Sequence, residues 1–438
     1  MPGCLPVPCA RWPRTWARAF SSVDASERVH VRCGSAGHVS VDLFNRPRDS
    51  PKSALIVHLP PRPSLDGSGA GALPSFLEGL PVASINYRWG SGRPRHASFS
   101  PQWPTPIHDT ATAFAWLAQT LAPPGCGRRD MYVYGSHLGA GLAVALSLTE
   151  THAHAAFGIR GLVAYNGVYN WTMFLPDHRI NHPAGKAKTA ATTPSEPAEG
   201  SRLHRLRKEM PGLFGQPYNL FDPFASPSLF FHSPGLLVPR TFSMSMAEEM
   251  DLEALTSGED ATMLPPPKMP RKSHLVFPPR QSTLKIPQTL LLHDAPWQPP
   301  QAASASENEI EGEGEGEDED DFDFDFEDEC EYEDQGASGT GNESSKGEGK
   351  DRTGGASRRG RRSRHTMAGQ AQELAGLMRR SISMIEMKER SKWDDEVGDD
   401  KEEALRRVRI VDVGPETANL ELNDGGQALA LEWLQDRM

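Results

Sequence analysis

The sequence predicts an α/β fold in which a mainly parallel sheet carries helices on both faces, with an irregular cap insertion and a disordered acidic insertion. Two observations lead to this fold class. Short apolar runs typical of buried strands alternate with segments of helical periodicity between residues 54 and 170, and the alternation returns after residue 286. The stretches at 176–280 and 298–365 have instead the compositions of segments outside a packed core.

The first predicted elements are a hairpin, two buried strands and a helix. Residues 28–45 alternate apolar and polar side chains around a Gly-Ser-Ala-Gly turn, which indicates two antiparallel strands. Short apolar runs at 54–59 and 82–88, bounded by proline and glycine, indicate buried strands. Residues 106–121 predict a helix, because a proline stands at its entry and alanine and leucine recur at helical spacing.

The later elements repeat the strand and helix alternation. A strand at 131–135 leads directly into a helix of small residues at 138–150, and another strand follows at 159–167. Strands that alternate with helices indicate a parallel sheet. The remaining predicted elements are the strand 286–294, the helix 368–382, the strand 408–413 and the helix 425–438.

The predicted organisation has one α/β domain with two insertions and a tail. The insertion at 298–366 is expected to be disordered, because like charges repel one another and too little apolar area is available to offset the chain entropy. The predicted parts are a disordered or targeting tail at 1–26, the α/β domain at 27–170 and 215–438, a cap-like and partly disordered insertion at 171–285, and the low-complexity insertion at 298–366, acidic and then basic.

The charge of the chain is concentrated in one segment. The 438 residues carry a formal net charge of −12, but 18 of the 58 acidic residues lie between Glu307 and Asp334, where no lysine or arginine occurs. The rest is close to neutral, so nucleic acid is not an expected partner. A basic protein is the kind of partner that this acidic segment would attract.

Cysteine usage and the length of apolar runs exclude further classes. The five cysteines are scattered and form no Cys-x-x-Cys pair, which argues against a disulfide framework and a zinc site. No metal and no cofactor are therefore expected. The longest apolar runs are too short for a transmembrane segment. We expect a cytoplasmic protein, with a mitochondrial location as the alternative because residues 1–23 are basic and contain no acidic residue.

The stretch MYVYGSHLGAGLA at 131–143 has the pattern of a sharp turn between a strand and a helix. Such a turn leaves its central residue in strained backbone geometry and needs small residues two places away on each side. Gly135 and Gly139 meet that need around His137, whereas centring the turn on Ser136 would put tyrosine and leucine there. His137 is therefore the predicted central residue, at the position where such turns usually carry a serine nucleophile.

Several stretches together resemble the α/β-hydrolase superfamily, in particular its hormone-sensitive-lipase-like, fold-3 branch. The resemblance lies in INYRWG at 85–90, WPTPIHDTATAFAWL at 103–117, VYGSHLGAGLA at 133–143 and LLLHD at 290–294. FDPFASPSLFF at 221–231 is also similar to uncharacterised fungal members. The resemblance implies an α/β-hydrolase fold and, for relatives with intact residues, esterase or lipase activity through a serine, an acid and a histidine.

The resemblance implies that the loop for the oxyanion, which in relatives is a His-Gly-Gly turn, follows the strand at 54–59. His58 stands in register with that motif, and Leu59 replaces its first glycine. Pro60 and Pro61 follow, and a proline has no N–H group to offer to an oxyanion. His58 and Leu59 are therefore predicted remnants of the loop.

The predicted acid and base positions are also altered. Asp294 is a candidate remnant of the acid, with a strand-end cap as its alternative role. The resemblance places the catalytic histidine after the strand at 408–413, but the last histidine of the chain is His365. Glu416 occupies the neighbourhood of the missing base, and a carboxylate does not replace an oriented imidazole at neutral pH.

These substitutions predict a pseudohydrolase that binds a ligand or a protein. A small apolar ligand in the former active-site pocket is the expected ligand class. Two alternatives stay open: a carboxylic-ester hydrolase with Ser136 or His137 as an atypical nucleophile, and an interaction scaffold that acts through the acidic insertion. Whether the chain is an enzyme is left open by the sequence.

Overall fold

A single mixed sheet organises the part of the chain that the structure, a computed structural model, describes. The predicted tail at 1–26 and residues 298–364 of the predicted acidic insertion lie outside the described residues. The described residues are 27–34, 37–45, 54–63, 73–90, 101–123, 127–181, 197–239, 242, 270–294, 365–393, 400–417 and 419–438.

The sheet has eight strands in the order β1-β2-β4-β3-β5-β6-β7-β8. Only β2 runs against its neighbours, and the other strands are parallel. This arrangement is the α/β-hydrolase fold, and it confirms the fold class predicted from the sequence. The strands are β1 Glu27–Arg32, β2 His38–Phe44, β3 Leu55–Leu59, β4 Val82–Asn86, β5 Arg129–Ser136, β6 Phe157–Tyr165, β7 Gln288–His293 and β8 Val408–Asp412.

Six α-helices accompany the sheet in the described part of the chain, besides short 3-10 turns, and the fourth continues as a π-helix at Ile382–Met387 and a short α-helical extension at Lys388–Arg390. Four of the six were predicted from periodicity and two were not. The helices are α1 Thr105–Thr120, α2 Leu138–Glu150, α3 Arg202–Phe214, α4 Met367–Ser381, α5 Asp400–Arg407 and α6 Asp424–Gln435.

The helix α3 lies in the stretch that the sequence analysis treats as a partly disordered insertion. Its leucine and methionine side chains recur at helical spacing and are buried in the main core, although basic residues surround them in the sequence. The hydroxyl of Ser201 accepts a hydrogen bond from the backbone of His204 at 3.2 Å and caps the helix. Gly215 ends it at a φ of 68°, in the left-handed region.

The two faces of the sheet bury alternate residues of the same strands. On one face, Val57 and Val133 pack with α1, α2, α3 and α4 in the larger core cluster. On the other face, Ile56 and Tyr134 pack with the side chains of α6, including Trp433. Central parallel strands covered on both faces read as continuous apolar runs, which is why they are recognisable in the sequence.

The glycines on either side of His137 stand where no Cβ atom fits. A Cβ on Gly135 would lie 2.6 Å from both the Ala143 Cβ and the Gly139 carbonyl oxygen. A Cβ on Gly139 would collide with the Leu59 carbonyl oxygen and lie 2.6 Å from that of Pro60. The first turn of α2 therefore approaches the end of β3 at backbone contact distance, as a strand-turn-helix elbow requires.

We expect Gly139→Ala to lower the free energy of unfolding by about 2–3 kcal/mol, because its methyl group would press on rigid backbone carbonyls. Gly376→Ala is a matched control on the exposed face of α4, where a new Cβ meets no atom within 4 Å. That control should gain about 0.5–1 kcal/mol from reduced backbone entropy. Urea unfolding measures both, and a Gly139→Ala variant as stable as the parent would contradict this packing.

Candidate functional site

The backbone turns sharply at His137, between the end of β5 and the start of α2. Its φ and ψ are 54° and −115°, and it is one of four non-glycine residues with positive φ among the described residues. Its N–H donates to the Tyr165 carbonyl at 2.8 Å, which fixes the turn against β6. A residue held in such geometry costs about 1–3 kcal/mol and persists because the surroundings impose it.

The His137 side chain is fully buried and is held by the loop that follows β8. Its Nε2 lies 3.0 Å from the Glu416 Oε1 and 3.1 Å from the Leu420 carbonyl oxygen. Both neighbours are acceptors, so Nε2 carries the hydrogen and donates. Its Nδ1 makes no hydrogen bond, and the Tyr165 ring packs edge-on against the imidazole at 5.4 Å.

Glu416 connects His137 to the first turn of α3. Arg202 Nη1 donates to the Glu416 Oε1 at 3.1 Å. Burial raises the pKa of Glu416, but the His137 hydrogen bond and the charge of Arg202 outweigh it and hold the pKa below its ordinary value. Burial lowers the pKa of His137 more than Glu416 raises it, so the imidazole is a neutral donor at neutral pH.

The space in front of His137 is filled with aromatic side chains. The residual cavity measures about 10 Å³ and is lined by His137 together with Trp89, Trp103, Trp171 and Phe224, among others. A volume of this size is at the lower limit for one water molecule, so no organic ligand fits. The expected small apolar ligand therefore finds no room in this arrangement of side chains.

Phe214, at the end of α3, completes the aromatic packing behind this cavity. Its ring centroid lies 5.5 Å from Trp89, 5.9 Å from Trp103 and 5.0 Å from Trp171. The Trp89 indole N–H donates to the Leu213 carbonyl at 2.9 Å. Helix α3 thus closes the site from two sides, with Arg202 at its start and Phe214 at its end.

His58 lies within β3 as a buried core residue. Its Nδ1 is 3.0 Å from the Ser84 hydroxyl, and its ring stacks on Tyr134 at a centroid distance of 5.7 Å. Burial lowers the pKa of His58 to about 3, so the ring stays neutral. It supports the sheet and does not face the elbow cavity, whose lining residues do not include it.

In the described part of the loop after β3, residues 60–63, carbonyl groups lie against the elbow. The carbonyl oxygens of Leu59 and Pro60 lie closest to the place where a Cβ on Gly139 would stand, and the Pro60 oxygen accepts a hydrogen bond from the Tyr87 hydroxyl at 2.8 Å. Pro60 and Pro61 have no N–H to donate. Among the described residues of this loop, an oxyanion would therefore meet carbonyl oxygens and prolines, which are not the donors that an oxyanion hole requires.

Asp294 follows β7 directly, at the edge of the sheet where His137 also lies. Its backbone N–H donates to the Asn166 side-chain oxygen at 2.9 Å. Burial, with a further contribution from Glu416, raises the pKa of Asp294 to about 6. Glu416, not Asp294, is the carboxylate in contact with His137.

Of the residues named from sequence, the structure brings His137 and Glu416 into direct contact and leaves Ser136 buried at the end of β5. Arg202, Phe214 and the Leu420 carbonyl complete the site and were not predicted. The signal for Arg202 and Phe214 was the helical spacing of apolar residues in α3. The role of the Leu420 carbonyl could not be predicted from sequence, because every residue has a backbone carbonyl.

The described residues contain no group of three histidine, cysteine, aspartate or glutamate side chains arranged to hold a metal ion. A search of the same residues finds no helix long and apolar enough to cross a membrane.

Comparison with known proteins gives likenesses in structure only. No family model and no curated protein matches the sequence. Carboxyl esterase 2 from the mycorrhizal fungus Tuber melanosporum is 15% identical with a TM-score of 0.34, over 64% of this chain and 69% of that chain. Esterase LipW from Mycobacterium marinum is 17% identical with a TM-score of 0.30, and the match covers 61% of this chain and 62% of that chain.

A third solved structure, the hyperthermophilic esterase from the archaeon Pyrobaculum calidifontis, is 17% identical with a TM-score of 0.29. The match covers 46% of this chain and 59% of that chain, so the chain spans less than two thirds of the archaeal enzyme. The fold of the chain is established by its own strand order and elbow.

We expect Glu416→Gln to lower the free energy of unfolding by about 1–2 kcal/mol near pH 7, because His137 and Arg202 lose a charged acceptor. The lowered pKa of Glu416 means that this stabilisation is present above its ordinary pKa and disappears as the pH falls through the lowered value. Urea unfolding near pH 7 and near pH 3 measures the difference.

Glu421→Gln is the control in the same loop, where the backbone of Glu421 makes the hydrogen bonds. It should unfold like the parent at both pH values. An equal loss in Glu416→Gln at both pH values would show that the ion pair is not the cause.

Proposed function

We propose that this chain, which has the α/β-hydrolase fold, is a non-catalytic protein that acts by binding a partner at its surface. The observation that carries the proposal is the closed elbow. His137 stands at the centre of the elbow between β5 and α2, its side chain is fully buried, and its Nε2 is occupied by Glu416 and the Leu420 carbonyl.

The arrangement argues against ester hydrolysis at each step of that reaction. A covalent mechanism needs an accessible nucleophile with a base, and here Ser136 is buried and, among the residues that the structure describes, His137 is the imidazole in contact with Glu416 at the elbow. It also needs N–H donors aimed at the oxyanion, where the described part of the loop after β3 offers carbonyl oxygens and prolines. Finally, an acyl group needs a pocket, and the cavity of about 10 Å³ holds none.

Binding at the surface is favoured over binding in the interior. Because aromatic side chains fill the space in front of His137, a ligand there would have to displace Trp171 or Phe214 from their packed cluster. The cap region carries exposed apolar side chains instead, among them Phe224 at 37%, Leu275 at 48% and Val276 at 56% exposure. Exposed apolar side chains of this kind are common where proteins meet.

The scaffold hypothesis, in which the acidic insertion recruits a basic protein, concerns residues outside the described ranges. It remains a prediction. It is compatible with a non-catalytic domain, since a binding segment needs only a stable fold to carry it.

We expect no hydrolysis of short p-nitrophenyl esters above the buffer rate and no labelling by a fluorophosphonate probe, because neither Ser136 nor His137 is accessible. His137→Ser should also remain inactive, since it restores a hydroxyl but neither a base nor oxyanion donors. An active esterase of known sequence, assayed in parallel, serves as the positive control.

Probe labelling or turnover that disappears in Ser136→Ala would overturn the proposal and favour the hydrolase with an atypical nucleophile. Turnover that disappears in His137→Ala but persists in Ser136→Ala would assign the reaction to the imidazole.

A further inference from the structure

The surface formed by Phe224 and the run PRKSHLV at 270–276 is called the cap face below. All seven residues of the run are exposed, Leu275 and Val276 among them, and the Phe224 ring is partly exposed. Adjacent exposed apolar side chains with polar neighbours are typical of a surface that meets another protein.

A row of phenylalanines joins the two parts of the cap face. The Phe224 ring packs edge-on against Phe230 at a centroid distance of 5.5 Å, and Phe230 packs against Phe277 at 4.9 Å. Phe277 follows the exposed run directly, and the Leu275 N–H donates to the Phe231 carbonyl at 2.8 Å. The exposed ring and the exposed run therefore form one apolar surface on an aromatic support.

The exposed run is held in place by its backbone. The Ser233 N–H donates to the Ser273 carbonyl at 2.8 Å, and the Ser273 N–H donates to the Ser233 hydroxyl oxygen at 2.8 Å. His232 and His274 pair as an antiparallel bridge between these bonds. Because the run is ordered before a partner arrives, a partner loses less conformational entropy in binding to it.

The charge around the exposed run is positive. Residues 270–293 contain two arginines and two lysines and no acidic residue. The two lysines each lie within 4.0 Å of a glutamate carboxylate on α4 or on its π-helical continuation. Arg271 and Arg280 are exposed, and neither pairs with a carboxylate among the residues that the structure describes. These two guanidinium groups therefore remain available to an anionic partner.

The stretch that contributes Phe224 adds little negative charge. Residues 216–239 contain one acidic residue, Asp222. Its Oδ2 accepts from the Trp103 indole N–H at 2.9 Å and its Oδ1 from the Phe224 N–H at 3.0 Å. Asp222 thus fixes the backbone that presents the Phe224 ring, and its charge is partly compensated by two donors.

We propose that the cap face binds a segment of a partner protein that is acidic and carries aromatic side chains. This inference rests on the proposed function, binding at the surface, and names the class of partner. Carboxylates of the segment pair with Arg271 and Arg280, since a guanidinium group holds a carboxylate through two parallel hydrogen bonds. Rings of the segment pack on Phe224 and on Leu275 and Val276, and aromatic residues together with arginine are enriched in protein interfaces.

A peptide segment fits the cap face better than a lipid bilayer does. The Phe224 ring leans on Phe230 and is 37% exposed, so a side chain can pack on it. A bilayer is bound by apolar side chains that reach past the headgroups, and a ring packed into the surface does not reach that far.

Calorimetric titration of the full chain with a short synthetic peptide of repeated Glu-Glu-Phe triplets tests this inference. Matched peptides of Glu-Glu-Ser and Lys-Lys-Phe triplets remove the rings or reverse the charge. We expect the Glu-Glu-Phe peptide to bind, and each matched peptide to bind about tenfold more weakly or not at all. Binding should weaken as the salt concentration rises, because salt screens exposed charges.

Two substitutions in the cap face separate the apolar and the charged contributions. Phe224→Ala and Arg271→Glu should each weaken binding of the Glu-Glu-Phe peptide about tenfold. Trp393→Ala and Arg409→Glu are the matched controls, because they change an exposed ring and an exposed arginine outside the cap face. Both controls should bind the peptide like the parent.

Absence of binding by the parent, or binding that neither Phe224→Ala nor Arg271→Glu weakens, would overturn this inference. The proposed function would then still stand or fall by the esterase assay, in which turnover would contradict it whatever the peptide does. Sedimentation of the parent with phosphatidylserine vesicles that is lost in Phe224→Ala would assign the cap face to a membrane. A peptide-free dimer that dissociates in Phe224→Ala would assign it to a second copy of the chain, and either result would overturn the peptide assignment.

Discussion

The hydrogen bond between His137 and Glu416 is the interaction on which the closed arrangement depends. It joins a strained residue of the elbow to the loop after β8, and Glu416 carries the connection on to α3 through Arg202. Three segments far apart in the sequence therefore meet at one partly buried carboxylate. Removing Glu416 would leave the buried His137 without its charged acceptor, so the geometry of the three segments is mutually dependent.

The residues that close the elbow come from the turn after β5, the loop after β8 and helix α3. With a large imidazole at position 137, the loop after β8 supplies a carboxylate to hold it, where the resemblance would place a catalytic base. Aromatic side chains fill the space that an acyl group would need, and α3 contributes Phe214 to them. These residues pack closely together at the elbow, as side chains in a protein core do.

Prediction from sequence succeeded where the signal was local. The runs that became β3 and β5 are apolar throughout because both faces of the sheet are covered, and glycines at 135 and 139 mark the elbow because no Cβ fits there. Prediction from sequence failed for α3, because Arg202 and other basic residues stand between the apolar residues that recur at helical spacing. Glu416 was noted as a residue near the missing base, but nothing local indicated its partners.

The sequence by itself determined the fold class, the register of the elbow and the lack of N–H groups at Pro60 and Pro61, because periodicity, the size of a side chain and a missing N–H act at the residue itself. Only the tertiary structure decided that His137 is buried, that Glu416 is the carboxylate against it and that burial raises the pKa of Asp294. Burial and pairing depend on segments brought together over long sequence distances, and the pKa values follow from that environment.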